Sequence, residues 1–208
     1  MNLRSLLNGN VTFDGSEDYQ GFRFRLLNAA LLTGILFTSV FVVIDVLGFN
    51  RLGAWQLGAT VIDGLATAGL FLLLRGHKQR YPLVAAVFVA VNLLTFLSAL
   101  VFVSNDELRV IWFFVGVVVV YVLLGVHAGI GVTIDTIVSL LIANAYLDAP
   151  FSGNAMATLV ISLCVTSAIS WAYTRQSISY GRAEQRQIFH ARIVVGNFSG
   201  YFAKECRF

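Results

Sequence analysis

Six apolar stretches, separated by short polar breaks, occupy the chain from Phe24 to Thr174. A hydrocarbon core about 30 Å thick takes about 20 helical residues to cross, and backbone inside it must satisfy its own hydrogen bonds, so such stretches fold as membrane-spanning helices. Only 12% of residues are charged, against about 25% in a typical soluble domain. The spans are expected at Phe24–Leu47, Trp55–Leu74, Pro82–Val103, Val110–Leu124, Ala128–Leu147 and Ala155–Thr174. The expected fold class is therefore all-α: a polytopic, six-transmembrane-helix bundle over residues 23–174. A cytoplasmic N-terminal lead (1–22) precedes it, and a cytoplasmic signalling helix and linker (175–208) follow. Pro82 suits the first turn of the third helix, where its missing N–H would be unpaired anyway. Ser16, followed by Glu17 and Asp18, reads as an N-cap with acids in the first turn. The lead has no apolar core ending in a small-residue cleavage site, so no cleaved signal peptide is expected.

Cytoplasmic loops of membrane proteins carry an excess of Lys and Arg. Twelve of the 14 basic residues fall before span one, between spans two and three, or after span six, leaving Arg51 and Arg109 for the opposite side. Both termini are thus expected in the cytoplasm. The net charge of +3 becomes a juxtamembrane feature facing anionic lipid, with no nucleic-acid partner implied. Cys164 falls in span six and Cys206 in the tail, so no disulfide is expected between them. The three outward loops are too short to build a folded module. A stimulus from outside must then be met by the helices themselves, which favours a lipophilic or small amphipathic ligand, or the membrane lipids, over a large polar one.

An acid at mid-span costs about 2.5–3.5 kcal/mol on insertion scales, so it normally faces the bundle and finds a partner. Asp63 lies on a stripe with Gln56, Thr60 and Thr67, at helical spacing. Asp135 lies deep in span five, and Asn92 and Asn144 add amides in spans three and five. Asp45 sits near the outer end of span one. Together Asp45, Asp63, Asn92, Asp135 and Asn144 are the candidates for a ligand-binding or polar bundle core. The competing account is a set of interhelical hydrogen bonds that fix helix rotation. In span six, Asn154, Thr158, Ser162, Thr166, Ser170 and Thr174 recur every fourth residue, a ridge suited to close packing within the bundle or between two copies. Span four, nearly free of polar groups, is expected to face lipid. His77, His127 and the cysteines show no metal-ligand spacing, so no metal or cofactor is expected.

The tail keeps helical character to about Val195. A heptad seam would run through Ile178, Gly181, Gln185, Ile188, Arg192 and Val195, with three apolar positions of six. Such weak pairing suits a signal-transmitting helix with two close packings, in which Ile178, Gln185, Ile188 and Arg192 carry the register. A helix lying near anionic lipid through Arg182 and Arg186 is the other reading.

The opening Ser-Glu-Asp-Tyr-Gln-Gly-Phe-Arg-Phe-Arg-Leu-Leu-Asn-Ala-Ala-Leu-Leu (16–32), six close-set spans and the turn Leu-Leu-Gly-Val-His-Ala-Gly-Ile (123–130) resemble the six-helix membrane input region of bacterial receptors. Such regions precede class III adenylate cyclases, diguanylate cyclases or histidine kinases. The tail Asn-Phe-Ser-Gly-Tyr-Phe-Ala (197–203) is similar to the linker that leads into class III cyclase domains. The resemblance implies a sensory domain that detects a membrane-borne signal, works as a homodimer, and drives a cytoplasmic output, most directly a nucleotide cyclase. No catalytic motif is expected in the 208 residues themselves. A second class of function is a small proton-coupled transporter, in which Asp63 and Asp135 occupy corresponding positions of two inverted halves.

Overall fold

The computed structural model describes residues 11, 18–49, 53–103, 109–147 and 151–177. These residues are helical throughout their regular elements, with no strand among them. The helices are α1 (Asp18–Val46), α2 (Ala54–Leu74), α3 (Tyr81–Phe102), α4 (Ile111–Leu124), α5 (Val126–Tyr146) and α6 (Gly153–Ser177). A single 3₁₀ turn, Lys78–Arg80, leads into α3, and Pro82 stands in the first turn of that helix. Five of the six are long and apolar enough to cross a membrane, which makes the chain a multi-pass membrane protein. The exception is α4, whose 14 residues reach about 21 Å. Ser16 and the tail positions Ile178, Gln185, Ile188, Arg192 and 197–203 lie outside the described residues.

Successive helices run antiparallel. One apolar cluster joins Phe24, Leu27 and Leu31 at the start of α1 to Leu70 and Leu74 at the end of α2, Val84, Ala85 and Phe88 at the start of α3, and Leu123 at the end of α4. This end of the bundle is here termed proximal, and the other distal. A second cluster joins Leu100 of α3, Phe113, Val117 and Tyr121 of α4, Leu140 of α5 and Leu163 of α6. Both clusters include α4. The shortest helix is shared by both, with Phe113, Val117, Val120, Tyr121 and Leu123 buried while Ile111, Val115 and Val118 stay exposed, so span four faces outward along one stripe and packs against the bundle along the other.

The α4–α5 junction depends on two glycines. Gly125 stands alone between the helices at φ +91°, a conformation that a side chain strongly disfavours, and its N–H donates to the carbonyls of Val120 and Tyr121 at 3.3 and 3.1 Å. Gly129, one turn into α5, lies against the Tyr121 ring so closely that a Cβ there would sit 2.5 Å from it. The Tyr121 hydroxyl then reaches Ser167 of α6 at 2.7 Å, and the Thr133 hydroxyl donates to the same Ser167 oxygen at 3.1 Å. One hydroxyl triad thereby ties α4, α5 and α6. The small-polar ridge of α6 turns gradually inward, from exposed Asn154 and Thr158 to buried Ser170 and Thr174.

At the proximal end the Arg23 guanidinium and the Tyr81 hydroxyl both donate to the Leu123 carbonyl, the latter at 2.8 Å. Arg23 also lies over the Tyr81 ring, 5.3 Å from its centre. A cation at the last turn of α4 opposes the negative end of the helix dipole and satisfies a carbonyl that the helix cannot. Arg23→Ala is expected to lower stability by about 1.5–3 kcal/mol and Tyr81→Phe by about 1 kcal/mol. Unfolding of the purified protein in mixed detergent would measure both; equal stability of the three proteins would refute the clamp.

Candidate functional site

An elongated slot of about 550 Å³ runs between α1, α2, α3, α4 and α5. Along α4 its lining extends from Arg109, just before the helix, to Leu123, roughly 21 Å at 1.5 Å per residue. The proximal half is apolar, walled by Leu26, Ala29 and Ala30 of α1, Phe88 of α3, and Val119 and Leu123 of α4. Polar side chains gather from mid-depth to the distal end: Gln56, Thr60 and Asp63 on α2, Asn92 and Thr95 on α3, Thr136 on α5, and Arg109. The slot is thus amphipathic along its length.

The polar wall follows from helical periodicity. Gln56, Thr60, Asp63 and Thr67 occupy one face of α2, and all four are buried. Ser98 of α3 donates to the Gln56 side-chain oxygen at 2.8 Å, and the Thr60 hydroxyl returns to the Gln56 backbone carbonyl at 2.9 Å. Asp63 is only 4% exposed, and its Oδ1 has no hydrogen-bond partner. Thr136 of α5, also part of the lining and 1% exposed, likewise has an unpartnered hydroxyl. Buried polar atoms are normally satisfied, because leaving one without a partner costs about 1–3 kcal/mol. Two such groups therefore stand on the walls of one slot.

Arg109 marks the distal end. Its guanidinium donates to the Val103 carbonyl at 2.9 Å and lies over the Phe151 ring, 5.2 Å from its centre. Beside it Trp112 is packed among Phe37 and Phe41 of α1 and Phe96 of α3, with ring centres 6.0–6.4 Å apart. These aromatics bridge α1 and α4 at the distal end, as the Arg23–Leu123–Tyr81 clamp bridges them at the proximal end. Between the bridges the slot lining includes residues that also reach the outer surface: Thr33 of α1, and Val115 and Val118 of α4. The mouth of the slot therefore opens sideways between α1 and α4, toward where lipid would lie.

The sequence candidates separate on this geometry. Asp63 and Asn92 line the slot, with the Asn92 amide donating to the Phe88 carbonyl at 2.9 Å. Asp135 does not join them. It is exposed on the outer face of α5, because the buried face of that helix is set by Gly129, Thr133, Thr136 and Leu140 and one residue of helix turns a side chain by about 100°. The placement of Asp135 in the polar bundle core is thus corrected, and of the two acids of the inverted-repeat scheme only Asp63 lines this slot. Asn144 serves the connection to α6: its side-chain oxygen accepts the Phe151 N–H at 2.7 Å. Asp45 is half-buried near the distal end of α1, away from the slot lining. Arg109, Trp112 and Thr136 were missed as site residues, since nothing in the local pattern of a loop arginine, a lone tryptophan or a mid-span threonine distinguishes packing from lining.

Compared with protein-family models, with curated proteins and with solved structures, the chain has no match.

Proposed function

We propose that this chain is a membrane sensory domain that admits a lipophilic or small amphipathic ligand sideways from the bilayer into the α1–α5 slot. The observation that carries the reading is the slot itself: about 550 Å³, within the range of small-ligand sites, with apolar walls and two buried polar groups, Asp63 and Thr136, left without partners. Six spans with both termini in the cytoplasm complete the proposal, on the strength of the basic-residue asymmetry. In this arrangement α4 forms one wall of the slot, and the Tyr121–Ser167–Thr133 hydroxyls connect that wall to α6. Occupancy would alter the packing of α4 and bias the position of α6, which continues toward residues 178–208 and, by the resemblance of the tail, toward a cyclase or kinase output in a homodimer.

Fusion of the full chain to a soluble class III cyclase domain tests this. Bilayer-soluble extracts of bacterial cultures are expected to change cyclase output by about fivefold or more, the range of ordinary allosteric coupling. Thr33 stands exposed at the slot mouth, so Thr33→Trp is expected to abolish the response to the extracts. A response that survives a blocked mouth would exclude the slot as the receiving site.

A further inference from the structure

The polar groups in the slot constrain what its ligand must carry. Asp63 Oδ1 can only accept if the carboxyl is ionised, and it is buried without a partner near the middle of α2. Thr136, with an equally unpartnered hydroxyl, stands near the middle of α5. Toward the proximal end no charged group among the described residues lines the slot, and toward the distal end its lining includes Arg109. A ligand carboxylate at mid-depth would meet Asp63 as a like charge, and an ammonium, which has donors only, could accept nothing from the Thr136 hydroxyl. A hydroxyl suits both: it donates to a carboxylate and accepts from a threonine.

We propose that the slot binds a neutral lipophile bearing a hydroxyl group, with the hydroxyl at mid-depth donating to Asp63 Oδ1 and the hydrocarbon lying in the proximal half between α1 and α4. This assignment rests on the slot being a ligand site and adds the chemistry of the head group. The hydrocarbon would replace no hydrogen bonds there, since its neighbours Leu26, Ala30, Phe88 and Leu123 present only apolar side chains to the slot. The Leu123 carbonyl, already held by Arg23 and Tyr81, needs nothing from it.

The test uses the full chain in phosphatidylcholine vesicles and a straight-chain dodecan-1-ol derivative carrying a diazirine near its methyl end. Irradiation is expected to label peptides containing Leu26, Ala30 or Leu123. Unlabelled dodecan-1-ol should compete at about tenfold lower concentration than dodecane, dodecylamine or dodecanoate, the discrimination expected from one buried hydrogen bond to a charged group. Asp63→Leu should erase that preference, and Thr136→Val should weaken it. The competition series on the unmodified chain stands by itself if a variant fails to fold. Equal competition by all four compounds would overturn the hydroxyl assignment while leaving the slot a ligand site. Tighter competition by dodecanoate would overturn it in favour of Arg109 as the anchor, and by dodecylamine in favour of a counter-ion role for Asp63. Labelling confined to outward-facing residues would remove the slot as a ligand site altogether, and this assignment with it.

Discussion

Gly129→Leu is expected to abolish the native packing of the C-terminal half of the bundle, with a loss of about 3–5 kcal/mol. A Cβ at this position would lie 2.5–2.6 Å from three atoms of the Tyr121 ring, so the ring must leave its place. Tyr121 is 1% exposed and sits in the cluster with Leu100, Phe113, Val117, Leu140 and Leu163, so displacing it disturbs four helices. Its hydroxyl would also lose Ser167. Total stabilities of about 5–15 kcal/mol leave little margin for such a change. The control is two residues away: Gly131 is exposed, with nothing within 4 Å of an added Cβ, and Gly131→Leu should behave as the parent protein. Yield of monodisperse protein and the unfolding midpoint in mixed detergent measure both. If the two variants behave alike, the α4–α5 contact described above is wrong.

The second large effect has the opposite sign. Asp135 is exposed on the outer face of α5, the tenth of the 21 residues of a helix long enough to span. On the biological insertion scale an aspartate at a helix centre costs about 2.5–3.5 kcal/mol, while a leucine contributes about −0.3 to −0.6 kcal/mol. Asp135→Leu is therefore expected to favour insertion of the Val126–Tyr146 segment by about 3–4 kcal/mol, roughly a hundredfold or more in the inserted-to-translocated ratio. Glycosylation mapping of that segment in a host protein reads this ratio directly. In the full chain the same substitution should leave photolabelling of the slot unchanged, because Asp135 takes no part in its lining. Reduced labelling, or loss of folded protein, would mean that another protein surface covers this acid. Asp63→Leu should improve insertion of its own segment similarly, yet lose the hydroxyl preference of the slot. These two outcomes would tell the two acids apart, although they are alike in composition and in depth.

Much of the architecture was legible in residue order. The lengths of the apolar runs, the first-turn proline at Pro82 and the turn at Gly125 place α2 to α6 within a few residues of where they are found, while α1 begins at Asp18, well before the expected Phe24. The polar stripe of α2 was legible as well: Gln56, Thr60, Asp63 and Thr67 recur at a spacing that only one helix face accommodates, and that face is the buried one. Polar groups in lipid seek protein partners, so for α2 the periodicity alone determines which way the helix is turned.

For α4 and α5 periodicity could not decide. From Ile111 to Leu124 every face of α4 is apolar, and since lipid tails are as apolar as a leucine core, nothing in its composition separates a lipid-facing stripe from a packed one. Its place in both clusters comes from shape, through the Tyr121 ring against Gly129 and the bond to Ser167. The same contacts rotate α5 so that Thr136 faces the slot and Asp135 faces out, although the rule that buries mid-span acids pointed the other way. Residue order determined that these helices exist, how long they are, and how α2 is turned. Close packing of side chains from distant parts of the chain decided which stripe of α4 is packed and which polar groups meet, because inside a membrane, steric fit takes over the sorting that water performs in a soluble protein.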